Sequence, residues 1–218
     1  MLSIIIPAYN EENKIVLTLE KFKKEISSSD EIIVVTEGSD KTAEICRKKG
    51  VRVLEFENRL GKGGSVKEGV KAAKGEIIVL CDADYGFQEH ASLKKLLAGF
   101  EQVSTTTRYS SIKIKGNIKR KIVSRGLNLL VRILFGLNLS DTQCGFKAFK
   151  SDIIKEIMPA VKTNGFAFDI ELLWLAKKKG YSIKEVPMRW DYIEETTVNV
   201  YKTSIEIFKD IIKIRFGI

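Results

Sequence analysis

Short apolar runs alternate with amphipathic stretches along the first half of the chain. Four mostly β-branched runs are typical of strands buried on both faces of a parallel sheet. They occupy residues 2–6, 31–35, 51–55 and 76–81. Between them lie stretches with helical or helix-like spacing of apolar residues, at 11–26, 40–49 and 61–74. This β-α-β-α-β-α-β order predicts an α/β fold with a doubly wound, mostly parallel sheet and right-handed crossovers.

The second half of the chain is more mixed. It contains two further candidate strands, at 103–107 and 183–187. Its helical patterns lie at 117–135, 151–157, 165–176 and 201–216. The helices at 117–135 and 201–216 combine apolar residues with Lys and Arg, which is typical of helices that lie on a membrane surface. Burial in an ordinary core explains the same pattern equally well.

The composition is that of one globular domain with an excess of basic residues. The 218 residues carry a formal charge of +9, which favours nucleotides, phospholipid surfaces or nucleic acid as partners. The three cysteines are dispersed, so we expect core packing in a reducing compartment. The single histidine disfavours a multi-His metal site and a Ser-His-Asp triad. The start of the chain lacks the features of a secretory signal, and no run is long enough to span a bilayer.

Two carboxylates end the fourth apolar run. Asp82 and Asp84 are separated only by Ala83, so in an extended chain both side chains leave the backbone on the same side. Ligands of open parallel sheets bind beyond the carboxyl ends of the strands. Paired carboxylates that share a ligand with a diphosphate suit Mg²⁺ or Mn²⁺. Taken alone, the pattern favours a solvated turn at the end of the strand.

A glycine-rich segment precedes this strand. The run Gly61-Lys62-Gly63-Gly64 opens the third helix, but it fits neither the P-loop spacing nor Gly-x-Gly-x-x-Gly. One interpretation is a flexible turn into a helix. The other is that Lys62 and the helix N-terminus face a diphosphate.

Several motifs, taken in order, identify a family. The segments 5–11, 61–63, 82–84 and 141–147 together resemble glycosyltransferase family 2, and within it the dolichyl-phosphate sugar synthases. The segments 168–173 and 185–187 with Trp190 are most similar to the dolichyl-phosphate β-glucosyltransferase branch. The resemblance covers nearly the whole chain and implies a GT-A fold over residues 1–218. It implies a nucleotide-sugar half at 1–100 and an acceptor half with interfacial helices at 101–218.

The resemblance also implies roles for individual residues. The expected nucleotide-binding residues are Pro7, Ala8, Tyr9, Glu11, Glu37, Lys62, Asp82 and Ala83. The expected metal ligands, for Mg²⁺ or Mn²⁺, are Asp82 and Asp84. The expected contacts to the acceptor phosphate are Arg108, Arg120 and Arg125. The expected catalytic residues are Asp84, Asp169 and Arg108.

The chain departs from the family pattern at several of these places. Thr36-Glu37 stands where the family usually has Asp-Asp, and Gly86 stands where mannosyl-type relatives often have a metal-binding Gln. Thr106-Thr107 replaces Gly-Ser before Arg108. Thr196-Thr197-Val198 replaces a Gly-Ser-Lys near the C-terminus, where Lys202 is a candidate substitute.

The activity implied by the resemblance is inverting transfer of a hexose, with glucose favoured, from a nucleotide diphosphate sugar to dolichyl or polyprenyl monophosphate. UDP-glucose is the favoured donor, and GDP-mannose or a saccharide acceptor is the alternative. We expect the protein to lie peripherally on the cytoplasmic face of a membrane. The oligomeric state is left open.

Two rival classes are weighed against this activity. A nucleotidyltransferase would need a glycine-rich signature after the first strand, where this chain has Pro7-Ala8-Tyr9-Asn10. A non-catalytic basic module that binds nucleic acid or membrane would interleave exposed aromatic and basic residues. Here the aromatic residues lie mostly in apolar patterns, so no nucleic-acid partner is expected.

Overall fold

A computed structural model describes residues 1–88, 91–108, 118–189 and 200–217, without the side chains of 87, 118–123 and 200–202. The strands are β1 (Leu2–Ala8), β2 (Glu31–Thr36), β3 (Arg52–Glu55), β4 (Ile77–Leu80), β5 (Val103–Thr107), β6 (Lys147–Lys150) and β7 (Ile183–Pro187). The first helices are α1 (Ile15–Glu25), α2 (Thr42–Lys48), α3 (Gly61–Ala72) and α4 (Leu93–Leu96). The later helices are α5 (Ile118–Phe135), α6 (Ser151–Ile157), α7 (Phe168–Lys178) and α8 (Val200–Phe216).

The strands form one sheet of seven, in the order β3-β2-β1-β4-β6-β5-β7. β1 is parallel to β2 and β4, β2 is parallel to β3, and β5 is parallel to β7. Only β6 runs antiparallel to its neighbours, β4 and β5. The prediction of a doubly wound, mostly parallel sheet is therefore confirmed.

The sheet separates two hydrophobic cores, and the strand periodicity assigns residues to each. In β1, Ile5 belongs to one core, while Ile4 and Ile6 belong to the other, and all three are fully buried. Helices α3, α6 and α7 cover the Ile5 side, and α1 covers the opposite side. Because both faces are covered, the central strands need apolar residues at successive positions, which is why their sequences are continuous apolar runs.

Some boundaries differ from the sequence-based expectation. The first helix begins at Ile15, so Glu11 and Glu12 lie in the loop before it and its first turn contains no acid. In this loop Asn10 has a positive φ of 53°, and the backbone N–H groups of Glu11 and Glu12 donate to the side chains of Thr42 and Asp40. Strand β6 had no counterpart among the predicted elements.

The antiparallel strand β6 decides which segments meet at the edge of the sheet. The carboxyl ends of β1, β2 and β4 lie at one edge because these strands are parallel. Lys147 at the start of β6 pairs with Leu80 at the end of β4, so the segment before β6 arrives beside Asp82. β5 also ends at this edge, and it leads directly into Arg108.

Helices α5 and α8 pack against one another and also expose large apolar side chains. Leu129 and Ile133 of α5 and Ile205, Phe208 and Phe216 of α8 are each about half or more exposed. Their buried faces, which include Val131 and Ile211, join the core on the Ile5 side. In the ranges that the structure describes, none of the helices is both long and apolar enough to cross a membrane. One face of each helix therefore packs in the core, while another face exposes apolar side chains.

Candidate active site

The paired acids lie at the carboxyl end of β4, in a turn that α1 holds in place. The Thr18 hydroxyl donates to the carbonyl of Ala83 at 2.5 Å and accepts from the Gly86 N–H at 2.8 Å. Ala83 is 4% exposed, whereas Asp82 and Asp84 remain partly accessible. A Cβ on Gly86 would meet the α1 backbone at 2.4 Å, so no Gln ligand fits at that position.

Lys62 lies directly against the first of these acids. Its Nζ is 2.6 Å from Oδ1 of Asp82 and 3.6 Å from Oδ2 of Asp169. Burial lowers the pKa of the Lys62 ammonium, but the two carboxylates outweigh burial and hold it above its usual range. Lys62 therefore stays charged at any working pH.

The glycines around Lys62 serve close packing of two chain segments. A Cβ on Gly61 would lie 2.6 Å from the Asn164 carbonyl, and a Cβ on Gly63 would lie 2.6 Å from the Thr163 carbonyl. Gly61 also has a φ of 74°, where glycine is favoured. The Gly63 N–H donates to the Asn164 carbonyl at 2.8 Å. The glycine segment at the start of α3 therefore packs closely against residues 163–164 and positions Lys62.

Asp169 lies inside the protein between two lysines. Its carboxylate is 3% exposed, and Oδ1 accepts from Nζ of Lys147 at 2.6 Å. Lys147 is fully buried and also donates to the Cys144 carbonyl. We call the sequence Asp82–Lys62–Asp169–Lys147 the ion-pair chain. Because Asp169 already faces two ammonium groups, this placement differs from the predicted substrate contact and makes Asp169 a positioning residue.

Gly145 leaves room for the Asp82 carboxylate. A Cβ at position 145 would lie 2.0 Å from Oδ2 and 2.6 Å from Oδ1 of Asp82. Real contacts of this kind do not occur, so the residue before Phe146 must lack a side chain. This is the physical reason for glycine in the 141–147 motif.

Arg108 is held by Asp141 in a two-point ion pair. Its Nε is 2.6 Å from Oδ2 of Asp141, and one Nη is 3.0 Å from Oδ1. Asp141 is buried, and its backbone N–H in turn donates to Glu185 at 3.0 Å. Burial raises the pKa of Asp141, but Arg108 outweighs burial and leaves that pKa below its usual value. The orientation of Arg108 is thus fixed by a charged pair, as the guanidinium fork allows.

The electrostatics of the two paired acids differ. Burial raises the pKa of Asp82, but Lys62 more than reverses this effect and keeps that pKa low. Burial and the neighbouring Asp82 carboxylate raise the pKa of Asp84 to about 6. No described residue donates a hydrogen bond or forms an ion pair with the Asp84 carboxylate. Asp84 is therefore a partly accessible carboxylate with a raised pKa, and its oxygens are free to bind a cation from outside the chain.

A divalent cation fits this arrangement. The described residues contain no cluster of three or more His, Cys, Asp and Glu side chains able to hold a metal on their own. Mg²⁺ and Mn²⁺ do not need such a cluster, because they are commonly held by one or two carboxylates together with substrate phosphates. Asp84, with no partner in the described chain, and Asp82 are the residues that would hold the ion.

The loop after β1 contributes an exposed aromatic surface beside the acids. Tyr9 is 44% exposed, and the Arg59 guanidinium lies 4.3 Å from its ring centroid. Glu11 is partly buried beside Lys14 at 3.2 Å, and burial raises its pKa. Pro7 and Ala8 form the end of β1, so the predicted nucleotide loop lies at the same edge as the acids.

Glu37 has a different role from the predicted one. Its Oε2 accepts from the backbone N–H of Leu60 at 2.5 Å and of Gly61 at 2.9 Å, and its Oε1 accepts from the Ser65 hydroxyl. Because both oxygens are occupied and the residue is 5% exposed, it caps the start of α3. The α3 N-terminus is therefore satisfied within the protein, which differs from the interpretation that it faces a diphosphate.

Of the other two residues predicted to contact the acceptor phosphate, the structure describes the side chain of one. Arg125 is exposed on α5, near Arg132, Asn128 and Leu129, which line a cavity of about 260 Å³. The Arg120 backbone belongs to α5, but its side chain lies outside the described residues, as do Lys202, Trp190 and the segment 196–198. Sequence reasoning gave no role to Lys147, Asp141 or Arg59, although the first two lie within a recognised motif. The signal that could have revealed Lys147 is a charged residue within the apolar segment that forms β6.

The sheet order and the acid-bearing edge define the class of protein. This is the GT-A fold of glycosyltransferases, and the same fold is found in glucosyl-3-phosphoglycerate synthase from Mycobacterium tuberculosis. That structure, in complex with Mn²⁺, UDP and glucosyl-3-phosphoglycerate, has a TM-score of 0.77 and 20% identity, and the match covers 100% of this chain and 80% of that one. At such identity the likeness shows the fold alone.

The family model described as glycosyl transferase family 2 matches residues 3–158, and the chain belongs to this family. A dolichyl-phosphate beta-glucosyltransferase from Dictyostelium discoideum is 32% identical, over 99% of this chain and 74% of the relative. The protein of the same description from Saccharomyces cerevisiae is 31% identical, also over 99% of this chain and 74% of the relative. The predicted resemblance is confirmed.

Substitution of Gly145 tests whether the position of Asp82 depends on a missing side chain. We expect Gly145→Ala to destabilise the fold by about 1–3 kcal/mol, because Asp82 or the backbone must move. Urea unfolding measures the change. Gly126→Ala on α5 is the control, since a Cβ there meets no atom within 4 Å. Equal tolerance of both substitutions would contradict this account.

Asp84 is expected to destabilise the metal-free protein at neutral pH. Its pKa in the fold, about 6, is above the usual value of 3.8 for an aspartate. Ionisation therefore disfavours the fold, and the stability present below pH 4 is lost as the pH rises through about 6. We expect Asp84→Asn to raise the unfolding free energy at pH 8 by about 1–3 kcal/mol and to change it little at pH 4.

Urea unfolding in chelator at both pH values checks this expectation. Glu76→Gln is the matched control, because Glu76 lies at the opposite end of β4 and its side chain is 88% exposed. The account is wrong if Asp84→Asn is no more stable than the parent protein at pH 8.

Proposed function

We propose that the chain transfers a hexose, with glucose favoured, from a nucleotide diphosphate sugar to dolichyl or another polyprenyl monophosphate, with inversion at the anomeric carbon. The observation that carries this proposal is the Asp84 carboxylate, which lies beside Asp82 without a partner in the described chain. This carboxylate is available to bind a cation, and it lies at the sheet edge where α/β proteins bind nucleotides. The descriptions of the relatives as dolichyl-phosphate beta-glucosyltransferases support the acceptor and the sugar.

The donor would bind along the edge formed by β1, β2 and β4. Tyr9, with Arg59 against its ring, offers a face for the nucleoside, and Pro7, Ala8 and Glu11 belong to the same loop. UDP-glucose is the favoured donor, and the UDP in the M. tuberculosis neighbour supports a uridine nucleotide. Asp82 and Asp84 would hold Mg²⁺ or Mn²⁺. When bound, this ion would neutralise the departing diphosphate as a Lewis acid and template.

The acceptor would approach from the side of Arg108. This guanidinium is 34% exposed and is oriented by Asp141, so it is preorganised to meet an anion. Arg125 and Arg120 on α5 would guide the lipid phosphate towards it. A phosphate monoester oxygen is largely anionic at neutral pH, so the nucleophile does not require a general base. This chemistry agrees with an Asp169 that is enclosed by two lysines.

Residues 1–100 would form the donor half and residues 101–218 the acceptor half of a single domain. The exposed apolar residues of α5 and α8 would lie in the interface of a membrane, peripherally and on its cytoplasmic face. Basic residues on the same helices, such as Arg125 and Arg132, would be attracted to anionic headgroups by about 1 kcal/mol each.

A transfer assay tests the proposed reaction. Labelled UDP-glucose and GDP-mannose are each incubated with dolichyl phosphate and Mn²⁺, and the lipid product is extracted. We expect glucosyl transfer, and a loss of at least about 100-fold in kcat/KM for Asp84→Asn, because the leaving diphosphate loses its neutralising ion. Glu76→Gln should retain activity. Unchanged turnover in Asp84→Asn would overturn the proposed role of the acids, and mannosyl transfer would change the donor.

Flotation with liposomes tests the proposed membrane surface. We expect the protein to float with anionic vesicles and to stay unbound with neutral vesicles or at high salt, because exposed charges are then screened. Ile133→Ser combined with Phe208→Ser should weaken binding at least about fivefold by removing buried apolar area. Leu17→Ser is the control, since Leu17 of α1 is 45% exposed. Absence of binding at every vesicle charge would refute this surface.

A further inference from the structure

The Lys62 ammonium lies near two carboxylates, but it is in hydrogen-bonding contact with only one of them. Its Nζ is in contact with Asp82 at 2.6 Å, while the Asp169 oxygen that faces it is at 3.6 Å. A hydrogen bond to Asp169 would require an approach of only about 1 Å. The side chain therefore has a second position that differs from the first by a small movement.

The second position, on Asp169, is held in place by another buried lysine. Lys147, fully buried, holds the other oxygen of Asp169 at 2.6 Å. The backbone that carries Lys62 is fixed as well, because Gly61 and Gly63 pack against the carbonyls of Asn164 and Thr163. Only the Lys62 side chain is left to move between the two carboxylates.

The first position conflicts with the proposed cation site. Asp82 would have to coordinate a divalent cation through a carboxylate that the Lys62 ammonium now occupies. Two positive groups within a few ångströms repel one another strongly in a partly buried site. Asp84, by contrast, has no partner in the described chain. The chain thus supplies its own positive charge to one of the paired acids and not to the other.

We propose that Lys62 is an internal counter-ion that neutralises Asp82 in the metal-free protein and shifts onto Asp169 when a divalent cation and a diphosphate bind. This inference rests on the proposed function, since it takes Asp82 and Asp84 as the cation site. Lys62 then competes with the cation for Asp82, and Asp169 provides the alternative partner. The ion-pair chain keeps the empty site folded and disfavours binding of the metal alone.

Binding of Mn²⁺ alone, measured by electron paramagnetic resonance of the free ion, tests the competition. We expect Lys62→Met to bind Mn²⁺ at least about tenfold more tightly than the parent protein, because the competing charge is gone. A purely structural role for Lys62 would weaken binding. Lys71→Met on the same helix removes an equal charge from an exposed Lys71–Glu68 pair and should leave the affinity within about twofold of the parent value.

A double variant checks whether the tighter Mn²⁺ binding of Lys62→Met occurs at the proposed cation site. Asp84→Asn in the Lys62→Met background should abolish the tighter Mn²⁺ binding. If Lys62→Met binds Mn²⁺ no more tightly than the parent protein while Asp84→Asn still removes binding, the counter-ion inference is overturned and the proposed cation site stands. If no variant binds Mn²⁺, even with UDP present, the inference and the proposed cation site both fail.

A second measurement uses the unaltered protein, so it does not depend on the variant folding. In a crystal structure with Mn²⁺ and UDP, we expect Lys62 Nζ to have left Asp82 and to lie within hydrogen-bonding distance of Asp169 Oδ2. A Lys62 that remains on Asp82 beside a bound Mn²⁺ would overturn the inference.

Discussion

The ion pair between Lys62 and Asp82 is the interaction on which the candidate site depends. Two carboxylates lie one residue apart where water is partly excluded, and burial together with the charge of Asp82 raises the pKa of Asp84 to about 6. Lys62 compensates Asp82, Asp169 helps to hold Lys62, and Lys147 compensates Asp169. A buried charge without a partner would be costly at any of these positions. Asp82 is thus held at the sheet edge with positive groups behind it.

The same constraint explains the glycines around the site. Lys62 reaches both carboxylates because the start of α3 lies against the segment before α7, and only glycine permits that approach at positions 61 and 63. Asp82 keeps its orientation because Gly145 has no side chain. Glycine here provides space for charged groups that belong to other segments. None of these glycines needs to contact a phosphate to be required.

The parallel part of the sheet could be predicted from the sequence, because strands covered on both faces must be apolar at successive positions, as in 77–81. The sequence does not predict strand β6, because the strand has only four residues and a lysine at each end, Lys147 and Lys150. The position of Asp82 and Asp84 followed from strand order alone. The partners of Glu37, Asp169 and Arg108 did not, because each pairing joins segments 22 or more residues apart. Such pairings depend on tertiary packing, which motif spacing does not report.

The burial of Lys147 has a consequence for how the chain folds. Its ammonium has no exposure to water, and its carboxylate partner arrives only with α7, 22 residues later. Lys147 lies two residues before Phe149 and therefore on the face of the sheet that α7 covers. Docking of α7 thus buries the ammonium and supplies its carboxylate partner in the same step, whereas burial without Asp169 would cost several kcal/mol. The two halves of the polypeptide are expected to reach their native state in a single cooperative transition.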